Sequence, residues 1–238
     1  MNYPFKNIEK IELAKVPNYG VALKHLKRKK IVAELAKKGG VGKFSELERA
    51  TGFKANVLVH HLNVLEKDGV IERVVEGTYR LTYKTPLCFI YQSKEIRDKV
   101  AYIGLLGRRD GKKAPEPQVA IELLEKEGYR PKLIYVTTST DAFEEWEKLK
   151  LPYQWIICYE NEIVDIDAIK RKVRPQLESL LTEYLVILDC TSATKPATIA
   201  YYELANQYLI PLIYIYEPIK SLKWLISKEA LLRIIGMS

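Results

Sequence analysis

From residue 100 to residue 216, short apolar runs alternate with amphipathic stretches, and no other feature of the chain constrains its fold as tightly. The runs at 100–106, 132–136, 154–159, 184–189 and 211–216 read as strands, and the stretches 115–127, 165–181 and 196–207 read as helices. Strands that are apolar along their whole length need cover on both faces. They therefore predict a parallel sheet wrapped by helices, a doubly wound, Rossmann-like domain of α/β class over residues 98–217. The following segment, 218–238, carries Leu222, Leu225, Ile226, Leu232 and Ile235 at roughly helical spacing. It is expected to form a helix that packs on the sheet or on a second subunit.

A different pattern precedes this domain. Residues 1–21 contain Pro4, Pro17 and Gly20 and read as an N-terminal arm, residues 22–84 as a winged helix-turn-helix, and residues 85–97 as a linker. Apolar periodicity begins near Ala22 and passes through Leu26, Ile31, Leu35 and Ala36 as a first helix. Ser45 can cap a short second helix with Leu47 and Ala50 facing inward, and Gly52 supplies a turn. A third helix then runs from about residue 54 to residue 68, with Leu58, Leu62 and Leu65 as its buried stripe. Its other face offers Asn56, Val59, His60 and Asn63, short side chains able to reach base edges in a major groove. Lys54 and His61 complete the candidate DNA contacts of this helix. Residues 70–83 read as two strands around Glu76 and Gly77, a wing presenting Arg73, Tyr79 and Arg80 to DNA.

The charge distribution supports that division. Residues 1–95 hold 18 Lys+Arg against 10 Asp+Glu, a net of +8, whereas residues 96–238 hold 20 of each. The whole basic excess therefore accompanies the groove-reading helix, as phosphate neutralisation requires. A solvated lysine-rich surface is the alternative that charge alone leaves open.

Ligand chemistry is expected at the carboxyl ends of the strands, where the strand order of an open parallel sheet reverses. Three loops carry suitable residues: Gly104, Leu105, Leu106, Gly107, Arg108 and Arg109 after the first strand, Thr137, Thr138 and Ser139 after the second, and Thr191, Ser192, Ala193, Thr194 and Lys195 after the fourth. Hydroxyls, backbone N–H groups and a lysine converging at strand ends form an anion site suited to phosphates. Taken singly, each loop could equally consist of helix caps.

Other chemistries are disfavoured. Residues 38–43, Lys-Gly-Gly-Val-Gly-Lys, resemble a phosphate loop but follow a helix and lead into Phe44 where a Ser or Thr would hold magnesium, so they read as a turn. The first strand loop lacks the glycine spacing of a dinucleotide fold, and no histidine follows His61 to serve a hydrolytic triad. His25, His60 and His61 lack partners at metal-ligand spacing, so neither a metal nor a cofactor is expected. Cys88, Cys158 and Cys190 are widely separated and read as reduced thiols. The longest apolar run, 209–216, falls short of the roughly 18 residues a membrane helix needs. A cytoplasmic protein without a membrane partner is expected.

Two sets of residues resemble known families. Val59, His60, His61 and Leu62 through Leu65, then Gly69, Val70 and Ile71, resemble the recognition helix and wing entry of ArsR-type winged-helix regulators. Asp189, Cys190, Thr191, Ser192, Ala193, Thr194, Lys195 and Pro196 resemble the Asp-x-Thr-Gly-Gly-Thr-Lys-Pro pattern of the CARF domain, the CRISPR-associated Rossmann-like sensor of cyclic oligoadenylates. Ser192 and Ala193 stand where that pattern has two glycines. The resemblance implies an archaeal CRISPR-associated regulator, a homodimer that binds a cyclic oligoadenylate across its two-fold axis and double-stranded DNA through the winged helices. Cyclic tetra-adenylate is favoured, because a two-fold site suits a four-fold ring. Two alternatives stay open: a metal-independent ring nuclease, with Lys195 stabilising the phosphate, and a nucleotide or phosphosugar sensor unrelated to CRISPR.

Overall fold

A computed structural model of the chain describes residues 16–93, 96 and 98–237. The expected N-terminal arm lies outside the described residues as far as residue 15. The N-terminal unit runs α1 (Tyr19–Ala22), α2 (Leu26–Lys37), β1 (Val41–Lys43), α3 (Phe44–Thr51), α4 (Ala55–Lys67), β2 (Ile71–Val75) and β3 (Thr78–Leu81). The order helix, turn, helix, hairpin is the one read from the sequence. Gly52 takes the left-handed conformation between α3 and α4 with φ 69°, and Gly69 does so after α4 with φ 73°. Leu58, Leu62 and Leu65 are fully buried.

Several local expectations change. The helix expected to begin at Ala22 is two helices, because Asn18 caps α1 and the His25 ring nitrogen accepts from the Lys27 N–H at 3.1 Å to start α2 afresh. Leu26, placed in that new first turn, is exposed. Residues 41–43 are not part of a turn but a strand, pairing antiparallel with β3. Helix α3 starts one residue ahead of Ser45. Its N-cap is Lys43, whose N–H is held by the Glu46 carboxylate at 3.2 Å. The hairpin is thus part of a three-stranded sheet in the order β1-β3-β2, with β3 in the middle.

The C-terminal domain contains α5 (Leu87–Tyr91), β4 (Val100–Leu105), α6 (Glu116–Lys126), β5 (Pro131–Ser139), α7 (Thr140–Glu147), β6 (Gln154–Cys158), α8 (Ile166–Glu183), β7 (Leu185–Asp189), α9 (Lys195–Tyr208), β8 (Leu212–Tyr216), β9 (Ser221–Ile226) and α10 (Lys228–Ile234). Among the described residues the sheet has six strands in the order β6-β5-β4-β7-β8-β9, all parallel except β9. It is the Rossmann-like α/β arrangement expected, and every residue of the central strand β4 is buried. The chain steps outward from β4 to β6, then returns to β7 on the other side of β4. The order therefore reverses between β4 and β7, and that switch point opens a crevice at their carboxyl ends.

The tail departs from expectation. Residues 221–226 are a strand, not helix, antiparallel to β8, and only 228–234 are helical. The alternation Ser-Leu-Lys-Trp-Leu-Ile suits a strand at the rim of the sheet, where one face stays in contact with solvent.

The linker is also more than a connection. Leu87, Cys88, Phe89 and Ile90 of α5 are buried in one hydrophobic core shared by both units. The Lys84 N–H donates to the Leu181 carbonyl at 2.8 Å, and the Val186 N–H donates to Thr85 Oγ1 at 3.0 Å. The chain leaving β3 is therefore fastened to the start of β7, whose far end reaches the crevice. Among the described residues no helix is long and apolar enough to cross a membrane, and no cluster of three or more His, Cys, Asp or Glu is placed to hold a metal ion.

Candidate functional site

The crevice at the β4/β7 switch point is an open cleft of about 660 Å³. Of the residues expected there, Leu106, Gly107, Arg108, Ser139, Thr191, Ser192, Ala193 and Thr194 line it. The loop after β4 is pinned from two sides. Thr138 Oγ1 donates to the Leu106 carbonyl at 2.8 Å, and the Trp146 indole N–H of α7 donates to the Gly107 carbonyl at 2.9 Å.

The loop after β7 is organised by Asp189. Its carboxylate is completely buried and accepts the Tyr102 hydroxyl at 2.5 Å, the Thr191 N–H at 2.8 Å and the Thr191 hydroxyl. Thr191 Oγ1 in turn accepts the Ile215 N–H of β8 at 2.9 Å, and Thr194 caps α9 while donating to the Ile163 carbonyl at 2.6 Å. Ser192 accounts for one departure from the resembled glycine pair: its Oγ accepts the Gly107 N–H at 3.0 Å and ties the two loops together. At Gly107 itself a Cβ would meet Ser192 Oγ at 3.2 Å and the Ala193 nitrogen at 3.3 Å, so the loops approach this closely only over a glycine. Ala193 takes the left-handed conformation that favours glycine, with φ 69°.

The remaining expected ligand residues do not line the cleft. Gly104, Leu105, Thr137 and Thr138 face the interior, because β5 extends to Ser139 and holds the two threonines inside the sheet. Thr137 receives the Tyr201 hydroxyl at 2.8 Å. Gly104 makes room for the Tyr102 ring. Arg109 turns away, its guanidinium 5.5 Å from the centre of the Trp146 ring, while its backbone N–H donates to the Glu145 carboxylate at 2.6 Å. Lys195 is exposed at the start of α9, outside the lining.

Other side chains take these places. Asp110, Lys112, Glu116, Glu160, Tyr214 and Tyr216 also line the cleft. Arg108 is paired with Asp141 and Lys112 with Glu116, so the cations that face the cleft are each held by a carboxylate. Tyr214 and Tyr216 had a signal in the sequence: they alternate with buried Leu212, Ile213 and Ile215 along β8, which marks them as facing out.

Burial pushes the Asp189 carboxyl up to about 6, against the lowering effect of its bonds to Thr191 and Tyr102. A carboxyl whose folded value lies above its ordinary 3.8 favours the fold most at low pH, and loses that contribution as pH rises through 6. The loss amounts to about 3 kcal/mol at 1.36 kcal/mol per unit. Asp189→Asn, which keeps the Oδ1 acceptor for Thr191, is expected to abolish this part of the pH dependence. The check is the urea midpoint of both proteins at pH 4.5 and 7.5: the Asn variant gains stability relative to wild type between the two. An equal shift in both would show that Asp189 does not titrate in this range.

The face of α4 that points outward bears the expected Lys54, Asn56, Val59, His60 and Asn63, all exposed. His61 does not join them. It is buried, with its ring 4.6 Å from that of His25 and 5.1 Å from that of His60, and burial followed by the His25 charge lowers its pKa. One residue's step along a helix turns a side chain by about 100°, which carries position 61 onto the stripe of Leu58, Leu62 and Leu65. On the wing, Arg73 is exposed, but Tyr79 is buried because β3 is the central strand. Arg80 is occupied by Glu72 and, at 3.6 Å, by Glu183 at the end of α8. It joins β3 to the C-terminal domain instead of pointing to an open face.

No protein-family model matches the chain, and no curated protein matches it. Among solved structures, Can2 from Sulfobacillus thermosulfidooxidans in complex with cyclic tetra-adenylate aligns with a TM-score of 0.41 and 17% identity, over 54% of this chain and 35% of that one. Csm6 from Enterococcus italicus bound to cyclic hexa-2′-fluoro-hexa-dAMP aligns with a TM-score of 0.39 and 16% identity, over 58% of this chain and 39% of that one. The chain thus spans little more than a third of the length of either.

Proposed function

We propose that this protein is a ligand-responsive, dimeric DNA-binding regulator whose CARF-like cleft takes a cyclic oligoadenylate, with cyclic tetra-adenylate as the first ligand to test. The observation that carries this reading is the cleft itself: a large opening at the switch point of a Rossmann-like sheet, lined by Thr191, Ser192, Ala193 and Thr194 of the motif that resembles the family's own. Hydroxyls of Ser192 and Ser139 offer donors, and Tyr214 and Tyr216 offer ring faces on which bases can stack. In this reading two copies face each other across the ring, and the two α4 helices enter successive major grooves about 34 Å apart.

The bonds joining residues 84–85 to Leu181 and Val186 support a route from ligand to DNA. A ligand that holds the loop after β7 acts on a strand whose other end is fastened to the wing. It shifts DNA affinity if it binds better to one placement of the wings than to the other. A nuclease role is less favoured, since Lys195, the cation it would need, lies outside the cleft lining.

The test is incubation of the full chain with labelled cyclic tetra-adenylate, followed by separation of bound, free and linear species. Retention of the intact ring at one ring per two chains is expected. Conversion to linear products would replace the sensor reading with the nuclease, and no retention at micromolar concentration would remove cyclic oligoadenylates as the ligand class.

A further inference from the structure

Glu116 opens α6 beneath the cleft and is 4% exposed, yet only one of its carboxylate oxygens is engaged, by the Lys112 ammonium. The other, Oε2, has no hydrogen-bond partner, and the residue lines the cleft. A buried acceptor left unpaired is costly, so a donor delivered by a ligand is strongly favoured there.

The donor's chemistry can be narrowed. A phosphate brings only acceptors and a like charge. A ribose hydroxyl can donate, but must also find a place for its own lone pairs. The exocyclic amino group of a nucleobase donates without that demand, and a carboxylate is its natural acceptor. Tyr214 and Tyr216, 36% and 47% exposed, line the same cleft, and a base held by its face presents its edge to the cleft wall. We infer that Glu116 is a specificity-determining residue of the cleft, accepting a hydrogen bond from the exocyclic amino group of a bound base. The inference rests on the reading of the cleft as a site for an oligonucleotide ring. It adds that the site selects amino-bearing bases over those with a carbonyl at that position, where oxygen would face oxygen.

The experiment compares cyclic tetra-adenylate with cyclic tetra-inosinate, in which each amino group is replaced by a carbonyl oxygen, by calorimetry on the full chain. Wild type is expected to bind the adenylate ring at least about tenfold more tightly. Glu116→Gln, which keeps the size and offers both donor and acceptor, should reduce this preference to within about threefold. Losing the carboxylate also alters the field around Lys112, but that acts on both rings alike, so the ratio is the readout. Glu116→Ala serves as the second variant, and thermal melting of each variant verifies folding. Equal binding of both rings by wild type, or an undiminished preference in Glu116→Gln, would overturn the assignment while leaving the cleft a ring site. A 2′-deoxy adenylate ring whose penalty disappears in Glu116→Gln would overturn it in favour of ribose. Binding of neither ring would overturn the reading of the cleft and this inference together.

Discussion

Gly104→Ala is expected to destabilise the protein by about 3 kcal/mol or more, the upper end of what overpacking a dense core costs. A Cβ at this position would lie 2.6 Å from two ring carbons of Tyr102, well inside contact distance. Tyr102 and Gly104 are two residues apart on one strand, so their side chains stand on the same face of the sheet. The ring cannot withdraw, because it is fully buried and its hydroxyl is held by Asp189 at 2.5 Å. Moving it would also disturb the carboxylate that shapes the loop after β7. Urea unfolding measures the loss, and a double-mutant cycle identifies its cause: Gly104→Ala should cost much less in a Tyr102→Leu background, where the ring is gone. An equal cost in both backgrounds would show that the clash is not with Tyr102.

The second large effect concerns DNA. Replacing Asn56, His60 and Asn63 together by Ala is expected to bring binding of a selected duplex down to the level of unrelated DNA, a loss of about a thousandfold. Each base contact of this type contributes about 1–3 kcal/mol of discrimination. All three side chains are exposed on one face of α4, and none of them belongs to its buried stripe, so the fold should survive. The salt dependence should remain, since the cations around the helix are untouched. Arg73→Ala, whose guanidinium stands a looser 3.7 Å from a single carboxylate, Glu66, should weaken all sequences alike, whereas Arg80→Ala should leave the salt slope unchanged because Glu72 and Glu183 together hold its charge. Anisotropy titrations across a salt series separate these outcomes, and a triple variant that still prefers the selected duplex would remove α4 as the reading helix.

The fold was legible where one periodicity governed a whole element. The five parallel strands announced themselves by unbroken apolar runs, and α4 by its leucine stripe with glycines at both ends. What misled were elements decided by neighbours distant in sequence. Val41–Lys43 is too short and glycine-bearing to read as a strand, and becomes one only because β3 offers it an open edge. The tail mimicked helical spacing because Leu222 and Ile226, four residues apart, suit either period, whereas Leu225 falls on the exposed face of the strand; pairing with β8 settled the matter.

The site divides in the same way. The motif at 189–196 and the glycine-bearing loop after β4 were visible as chemistry and do meet at the cleft. Which of their residues face it depended on where strands end. Thr137 and Thr138 read as loop hydroxyls, but β5 continues through both of them to Ser139 and keeps them in the interior of the sheet. Glu116 escaped notice because a glutamate at a helix start is ordinary in sequence, and only burial with an unpaired oxygen distinguishes it.

A ring in the C-terminal cleft is expected to govern DNA held by the N-terminal unit. The most direct test of this coupling is the affinity of the full chain for its selected duplex, measured by fluorescence anisotropy with and without cyclic tetra-adenylate at a concentration shown by calorimetry to saturate the cleft. A change of about tenfold or more in affinity, in either direction, is expected, within the usual range of coupling between two sites. Identical affinities with the ring demonstrably bound would contradict it.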